Sequence, residues 1–486
     1  MDWPVETSDC LPLALWSAAE IAAATGGVAS DEFLVSGLAI DSREVSDGDL
    51  FVALSGESTD GHRFVEGAFA RGASAALVER PVAGPHVLVA NTFTALQALA
   101  RAARERIDSG ARVVGVTGSV GKTSVKEALW AALDRSSRCA AHRSVKSYNN
   151  HVGVPLSLAR MPARSRFGVF EMGMNHAGEI AALTGQVRPH VAVITTIAPA
   201  HIEMLGSEEA IADAKAEIFG GLLPGGTAVI PADSPHGPRL RAAAEAVGAR
   251  VVTFGRAADA DVRLLDVVAA AGPGGGALVT IDMGDRRLCY TVGAPGEHWL
   301  INSLAVMAAV RAIGGDLGAA GLALAELEGM AGRGARLTMR ADDGGEALLI
   351  DESYNANPAS MRATLVSLAQ TPARRRLAVL GAMKELGDFG PGLHAALVEP
   401  IAEAGIDYLV LVGDEMAALA DELGKSDTPS LGRTVRFDHC RNVEEARALL
   451  AAHGIAGGDA ILVKGSNSVG LGALVTALAA KRSENE

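Results

Sequence analysis

The sequence predicts an α/β protein in three parts, each built on a mainly parallel sheet: an N-terminal α/β part over residues 1–108, a central P-loop part over 109–328 and a C-terminal doubly wound, Rossmann-like part over 329–486. Two observations carry that reading. From about residue 110 onward, short β-rich runs alternate with longer Ala- and Leu-rich stretches, the pattern of repeated βαβ units. The chain has 486 residues, 49% of them hydrophobic, which is more than one core organises and enough apolar material to fill several.

Taken in order, residues 1–108 hold short elements with turn-rich junctions such as SREVSDGDLFVALSGESTDGH and end in the helical stretch TFTALQALARAARERI. The central part opens on the strand RVVGVT at Arg112, with further strands expected at FGVFEM, HVAVITTI and TAVIP. The third part starts near Gly329 and carries the strands ALLID, RLAVLG, YLVLVG and AILVKG with helices between them. The glycine run AGPGGGA at 271–277 reads as a hairpin or surface loop, and no solenoid repeat or coiled-coil heptad is found.

Composition excludes several classes. A net charge of -14 with no Lys/Arg cluster argues against nucleic-acid binding, which needs a basic patch. The longest apolar stretches, such as 191–200, are about half what a bilayer span needs, and the start MDWPVETSDC lacks the basic residues of a signal peptide. Cys10, Cys139, Cys289 and Cys440 lie far apart with no CxxC pair, so neither a disulfide framework nor a zinc knot is suggested. A cytoplasmic protein with no membrane partner is expected.

Directly after RVVGVT come Gly118, Ser119, Val120, Gly121, Lys122, Thr123 and Ser124, then the amphipathic stretch VKEALWAALDR: strand, glycine loop, helix. Glycines let backbone N–H groups approach phosphates, the helix N-terminus adds partial positive charge, Lys122 reaches toward the β/γ-phosphates and the Thr123 hydroxyl can hold Mg²⁺. The general motif has another glycine five residues before Gly121, where this chain has Val116. A guanine-reading NKxD motif is absent.

The loop is followed by YNNHVGVP at 148–155 and EMGMNHAGEI at 171–180, and together these resemble the central part of the Mur ligases. AHIE at 200–203, AKAEI at 214–218, NSLA at 302–305, DESYNANP at 351–358 and KGSN at 464–467 follow in that family's order, so the resemblance spans essentially the whole chain. Within the family, EMGMNHAGEI and DESYNANP look like the member that joins D-alanyl-D-alanine to a UDP-linked muramoyl tripeptide. The DNPR motif of the sibling that adds diaminopimelate or lysine is not found. That sibling is one alternative; a non-catalytic, nucleotide-regulated P-loop module is the other. Folylpolyglutamate synthetases share the last two parts but generally lack a uridine-binding first part.

The resemblance implies an ATP-dependent amide ligase that phosphorylates a carboxylate and lets an amine attack the acyl phosphate, with ATP and two Mg²⁺ ions as cofactors and a monomer as the working form. It implies Glu171 as a Mg²⁺ ligand, with an ordinary strand-end carboxylate as the plain alternative. It implies His201 as a ligand for a second metal, where a lone histidine would otherwise pack or cap. Lys215 aligns with a lysine that several members carbamylate; such a lysine must be neutral, hence buried or near positive charge, and the alternative is an unmodified lysine pairing a carboxylate. Asn302 resembles the asparagine that faces adenine, with a helix N-cap as the other role. Arg333 and Arg336 compete for the hinge arginine, and Arg336 is favoured. Asp351 is expected at the ATP ribose, and Tyr354, Asn355, Asn357 and Pro358 in a turn facing the reacting groups. Ser42, Arg43 and the loop from Gly56 through Asp60 and Gly61 to His62 are candidates for the donor's uridine diphosphate. Asn149, Asn150, Lys464, Ser466 and Asn467 complete the substrate candidates, the last three either seating the incoming dipeptide or closing on ATP. Hinges are expected near 107–112 and 329–336.

Overall fold

The computed structural model describes residues 14–56, 59–200, 202–270, 276–425 and 435–480. Three large sheets occur in it, spanning 28–88, 112–292 and 335–464. In the first, the strands Gly37–Ala39, Asp49–Val52, Ala75–Val78 and His86–Leu88 run parallel, and Val28–Ala29 is added antiparallel at one edge.

The central sheet has nine strands. Ala141–Arg143, Phe167–Glu171, Arg112–Thr117, Val191–Ile194, Thr227–Pro231, Arg250–Gly255 and Val262–Ala269 are parallel in that spatial order, and an antiparallel meander through Ala277–Asp282 and Arg287–Val292 extends it. The expected strands all occur, with RVVGVT and TAVIP at the bounds read from the sequence; their near-continuous valine and isoleucine content suits strands covered on both faces. The run at 271–277 joins the two antiparallel strands Val262–Ala269 and Ala277–Asp282 of a hairpin, although 271–275 lie outside the described residues. Because Arg112–Thr117 lies between Phe167–Glu171 and Val191–Ile194, strand order reverses there. The carboxyl ends of these three strands frame a switch-point crevice, the place where open α/β sheets bind ligands.

The Lys122–Ser137 helix covers that crevice strand. Val125, Ala128, Leu129 and Ala132 recur at helical spacing, are at most 1% exposed and pack on Val114, Val116 and Val193. Truncating Leu129 to Ala would cost about 2–5 kcal/mol.

The third sheet, in the order Ala335–Arg340, Glu346–Glu352, Asp459–Lys464, Arg375–Gly381, Tyr408–Val412, Arg436–Cys440, is parallel except for its first strand. The two expected hinges differ: 108–110 lie in an exposed turn, whereas 332–336 are tied into the third sheet. Around 107–112, Arg104 donates to the carbonyls of Val187 and Arg188 at 2.7 Å, and Arg106 binds those of Leu15 and Met161. Around 329–336, Asp351 accepts the Gly332 N–H at 2.6 Å and Ala335–Arg340 is already a strand, so residues 332–336 belong mechanically to the third sheet.

Candidate active site

The phosphate loop is shaped by close approach. Gly118 has φ 150°, and a Cβ there would sit 1.9 Å from the Thr195 hydroxyl; at Gly121, φ 87°, it would come within 3.0 Å of the Asn302 amide. Ser119 donates to the Ala198 carbonyl at 2.8 Å, and Thr195 donates to that of Val120, so the segment after Val191–Ile194 braces the loop. Val116 stands mid-strand, paired with Glu171 and Val193, which is why no glycine is needed there.

Lys122 donates to the Gly118 carbonyl at 2.7 Å. Burial pushes its ammonium below the ordinary lysine range; Glu171 opposes that shift and Arg333 adds to it. Glu171 is 1% exposed and doubly held: Thr123 Oγ1 donates to Oε2 at 2.8 Å and Asn149 Nδ2 to Oε1 at 2.7 Å. A hydroxyl and one carboxylate at the mouth of a phosphate loop are the protein's usual share of a Mg²⁺ shell whose remainder is phosphate and water. Among the described residues there is no group of three or more His, Cys, Asp or Glu side chains that could hold a metal by itself.

A cleft separates this loop from the third sheet. Ser119, Val120, Gly121, Lys122 and Ser124 line one side, with Asn149, Glu171 and Lys215; Tyr354, Asn355, Asn357 and Lys464 line the other. Lys464 is fully buried, donates to the Asn355 carbonyl at 2.9 Å and lies 3.5 Å from Glu352. Burial pushes its ammonium down, Glu352 opposing. Lys215 is 1% exposed and has no hydrogen-bond or ion-pair partner among the described residues; burial, reinforced by Lys122, pushes it well below the ordinary lysine range. Three basic side chains, Lys122, Arg333 and Lys464, with the Lys215 amine beside them, thus face two carboxylates, Glu171 and Glu352, in a chain whose net charge is -14. That local excess suits a polyanion.

Several expectations are corrected. Arg336 does not reach the cleft: it pairs with Ile350 in the sheet and its guanidinium binds Thr371 Oγ1 at 3.0 Å. Arg333 does line it, stacked 4.2 Å over the Tyr354 ring and 3.4 Å from Ser147 Oγ. Asn302 does not cap a helix; it lies inside Glu297–Ile313, against the phosphate loop. Asp351 is buried with both oxygens engaged, one by Gly332 and one by Ser353, tying the linker to the turn. Asn150 turns its amide oxygen back on its own loop, accepting from the Val152 and Gly153 N–H groups ahead of the Gly153–Ala159 helix. Ser466 accepts from the Lys384 N–H, and neither it nor Asn467 lines the cleft. His201 lies outside the described residues.

In the first sheet, the candidate turns follow the carboxyl ends of adjacent parallel strands, Gly37–Ala39 and Asp49–Val52. Ser42 and Arg43 form a single helical turn capped by Asp41, whose carboxyl is held down to about 2 by hydrogen bonds from Arg43. Gly56 donates to the Thr59 carbonyl, and Asp60 caps the Gly61–Phe64 turn while accepting from Arg80. A Cβ at Gly61 would strike the Leu54 backbone at 2.6 Å, and His62 is buried between Asp60 and the Glu79 N–H.

Sequence reasoning missed Ser147, His298 and Glu352, which also line the cleft. Glu352 carried a signal: it ends its strand opposite Lys464, the last residue of the neighbouring one. His298 and Ser147 carried none, since only tertiary packing brings them there.

Comparison with known proteins agrees with this architecture. Family models match in succession: the Mur ligase family catalytic domain over 34–115, the Mur ligase middle domain over 116–310 and the Mur ligase glutamate ligase domain over 335–467. The chain is 34% identical over 465 residues to the UDP-N-acetylmuramoyl-tripeptide--D-alanyl-D-alanine ligase of a Synechocystis strain, covering 93% of this chain and 94% of that protein. It is 33% identical to the Escherichia coli enzyme of the same name, covering 93% and 96%. Among solved structures, MurF from Acinetobacter baumannii superposes with a TM-score of 0.80 at 31% identity, covering 96% of this chain and 99% of that one. MurF ligase from Thermotoga maritima, solved in complex with ADP, gives 0.72 at 26%, covering 92% and 97%. With three consecutive family models and full-length relatives above 30% identity, this chain belongs to the Mur ligase family.

Proposed function

We propose that the chain catalyses ATP-dependent ligation of D-alanyl-D-alanine to UDP-N-acetylmuramoyl-tripeptide, a step of peptidoglycan precursor synthesis carried out by a monomer in the cytoplasm. The observation that carries the chemistry is the cleft in which a phosphate loop faces two buried lysines and an arginine. The identity of the substrates is supported by the names of the full-length relatives. Among the described residues no helix is long and apolar enough to cross a membrane.

Phosphorylating a carboxylate with ATP brings two anions together, and catalysis is mainly positioning and charge neutralisation. In this reading the loop N–H groups and Lys122 hold the phosphate chain, Thr123 and Glu171 supply protein oxygens for one Mg²⁺, and Arg333 and Lys464 approach from the third sheet. The metal, when bound, offsets the repulsion between the γ-phosphate and the attacking carboxylate. The amine of the dipeptide then attacks the acyl phosphate, forming the amide and releasing phosphate. The turns at 41–44 and 56–62 seat the donor's diphosphate, at the strand ends where such ligands bind. Lys215, buried and without a partner among the described residues, is suited to be the neutral amine that carbamylation requires. A carbamate there would turn that amine into an anionic oxygen ligand for a second metal. A ¹³C signal from labelled bicarbonate, absent in Lys215→Ala, tests it.

The central and third parts are proposed to close on the ligands. An unchanged scattering radius on adding all ligands would count against closure. The main test incubates the protein with ATP, Mg²⁺ and UDP-muramoyl tripeptide, adds D-alanyl-D-alanine or diaminopimelate separately, and follows phosphate release and nucleotide-product mass. A pentapeptide product formed only with the dipeptide is expected. Product only with the free amino acid would mean the sibling reaction, and nucleotide binding without product a regulatory module.

A further inference from the structure

The segment 144–149, SVKSYN, is gripped from three sides. Lys126, fully buried one turn along the helix from Thr123, donates to the carbonyls of Ser144 at 2.9 Å and Lys146 at 2.6 Å. From the first sheet's side, Glu44 accepts from the Lys146 ammonium and, at 2.8 Å, from the Tyr148 hydroxyl. From the third sheet's side, Arg333 lies 3.4 Å from Ser147 Oγ, which is itself 3.5 Å from Thr123 Oγ1. The segment ends at Asn149, whose amide holds Glu171 and whose carbonyl accepts the Gly173 N–H at 2.8 Å. Lys146 has φ 52°, a conformation that side chains rarely adopt and that its surroundings must hold.

Glu44 follows Arg43 in the very turn assigned to the donor's diphosphate. We propose that 144–149 is a strap through which filling of the 41–44 turn sets Asn149 and Glu171 at the metal–nucleotide site, with Glu44 as its positioning residue. The proposal rests on that reading of the two sites. Lys126 anchors the strap at the Ser144 and Lys146 carbonyls, so displacement of Glu44 is passed through Tyr148 to the 147–149 end. Two charge-assisted hydrogen bonds, to residues that bracket Ser147, form the transmitting contact. The Lys146 bond draws the Glu44 carboxyl below the ordinary range, and Glu44 raises the Lys146 ammonium, as a committed ion pair should. Coupling of this kind is reciprocal: nucleotide must tighten donor binding by the factor that donor tightens nucleotide.

The test is calorimetric titration of Mg²⁺ and a non-hydrolysable ATP analogue into the full chain, with and without saturating UDP-muramoyl tripeptide. Wild type is expected to bind the analogue about tenfold more tightly with donor present. Glu44→Ala should bind it equally with and without donor, Glu44→Gln should fall between, and KM for ATP should rise while KM for the dipeptide does not. Tyr148→Phe, which removes one oxygen, reports the same comparison should Glu44→Ala fail to fold. Full donor-dependent tightening in Glu44→Ala or Tyr148→Phe would overturn the strap, as would a wild type whose nucleotide affinity ignores donor. A wild type that binds no nucleotide, or binding that survives Lys122→Ala, would instead break the underlying reading of the loop.

Discussion

Where the first sheet meets the central one, apolar burial is laced with hydrogen bonds; where the central sheet meets the third, a charged cleft opens beside an apolar cluster that runs through both. At the first joint, the Thr92–Arg106 helix packs along Gly153–Ala159, and Leu156 and Ala159 share one apolar cluster with Trp16, Leu38 and Leu96. Trp16 donates to the Ala159 carbonyl at 2.9 Å under the Arg106 guanidinium, and Arg160 binds the Leu38 carbonyl. At the second joint, lysines and an arginine stand around the cleft, and backbone contact is thin: the Glu203 N–H reaches the Glu385 carbonyl at 3.5 Å. The lesson is mechanical. A joint closed by apolar burial and arginine-to-carbonyl bonds resists opening, whereas one with an open cleft in which basic groups outnumber carboxylates is open to ligand control.

Mutations should therefore separate the joints by readout. Trp16→Ala, which empties the first joint, should cost about 3–5 kcal/mol in urea unfolding, with the nucleotide affinity of the folded protein unchanged; a kinetic defect without lost stability would reverse the comparison. Lys122→Ala, on the cleft side, should lower kcat about 10²–10³-fold in phosphate-release assays while leaving the unfolding midpoint in place. Arg333→Ala should cost about tenfold in kcat/KM, and Arg336→Ala much less, which checks the reassignment of the hinge arginine.

Two pH experiments sharpen the contrast further. The folded-state pKa of Lys215 lies below its unfolded value, so the unfolded chain binds an extra proton between the two, and stability rises with pH through that window. Lys215→Met should accordingly be inactive yet more stable at neutral pH, the gain fading as pH climbs toward the ordinary lysine value. A loss of stability at neutral pH would contradict the burial argument. In the central sheet, burial holds His142 and His190 down to about 4, and His190 Nδ1 accepts the Val113 N–H at 3.0 Å. Both favour the unfolded state as they take up protons, so stability should decline as pH falls from about 6.5 toward 4. Replacing His142 with Gln should flatten part of that slope.

Much of this architecture is legible in the amino-acid order. Alternating strands and helices announce parallel sheets, and GSVGKTS between a strand and a helix announces a phosphate cradle, because both depend on local order along the chain. What escaped depends on register and packing. Arg333 and Arg336 are three residues apart in a glycine-rich run, and only the pairing of Arg336 with Ile350 turns one away from the cleft. Asn302 looks like a helix start until Glu297–Ile313 encloses it. Asp351 and Glu352 are neighbours on one strand, yet the first is tied to the Gly332 N–H and only the second lines the cleft.

The bond from Asp351 to the Gly332 N–H has a further consequence for fidelity. It makes the linker, Arg333 stacked on Tyr354, and the strand ends carrying Glu352 and Lys464 one rigid block. In the proposed closure, these charges cannot arrive piecemeal: a half-closed molecule has none of them in place. Idle hydrolysis of ATP, and escape of a water-labile acyl phosphate, are thereby kept out of the partly assembled states through which every turnover must pass.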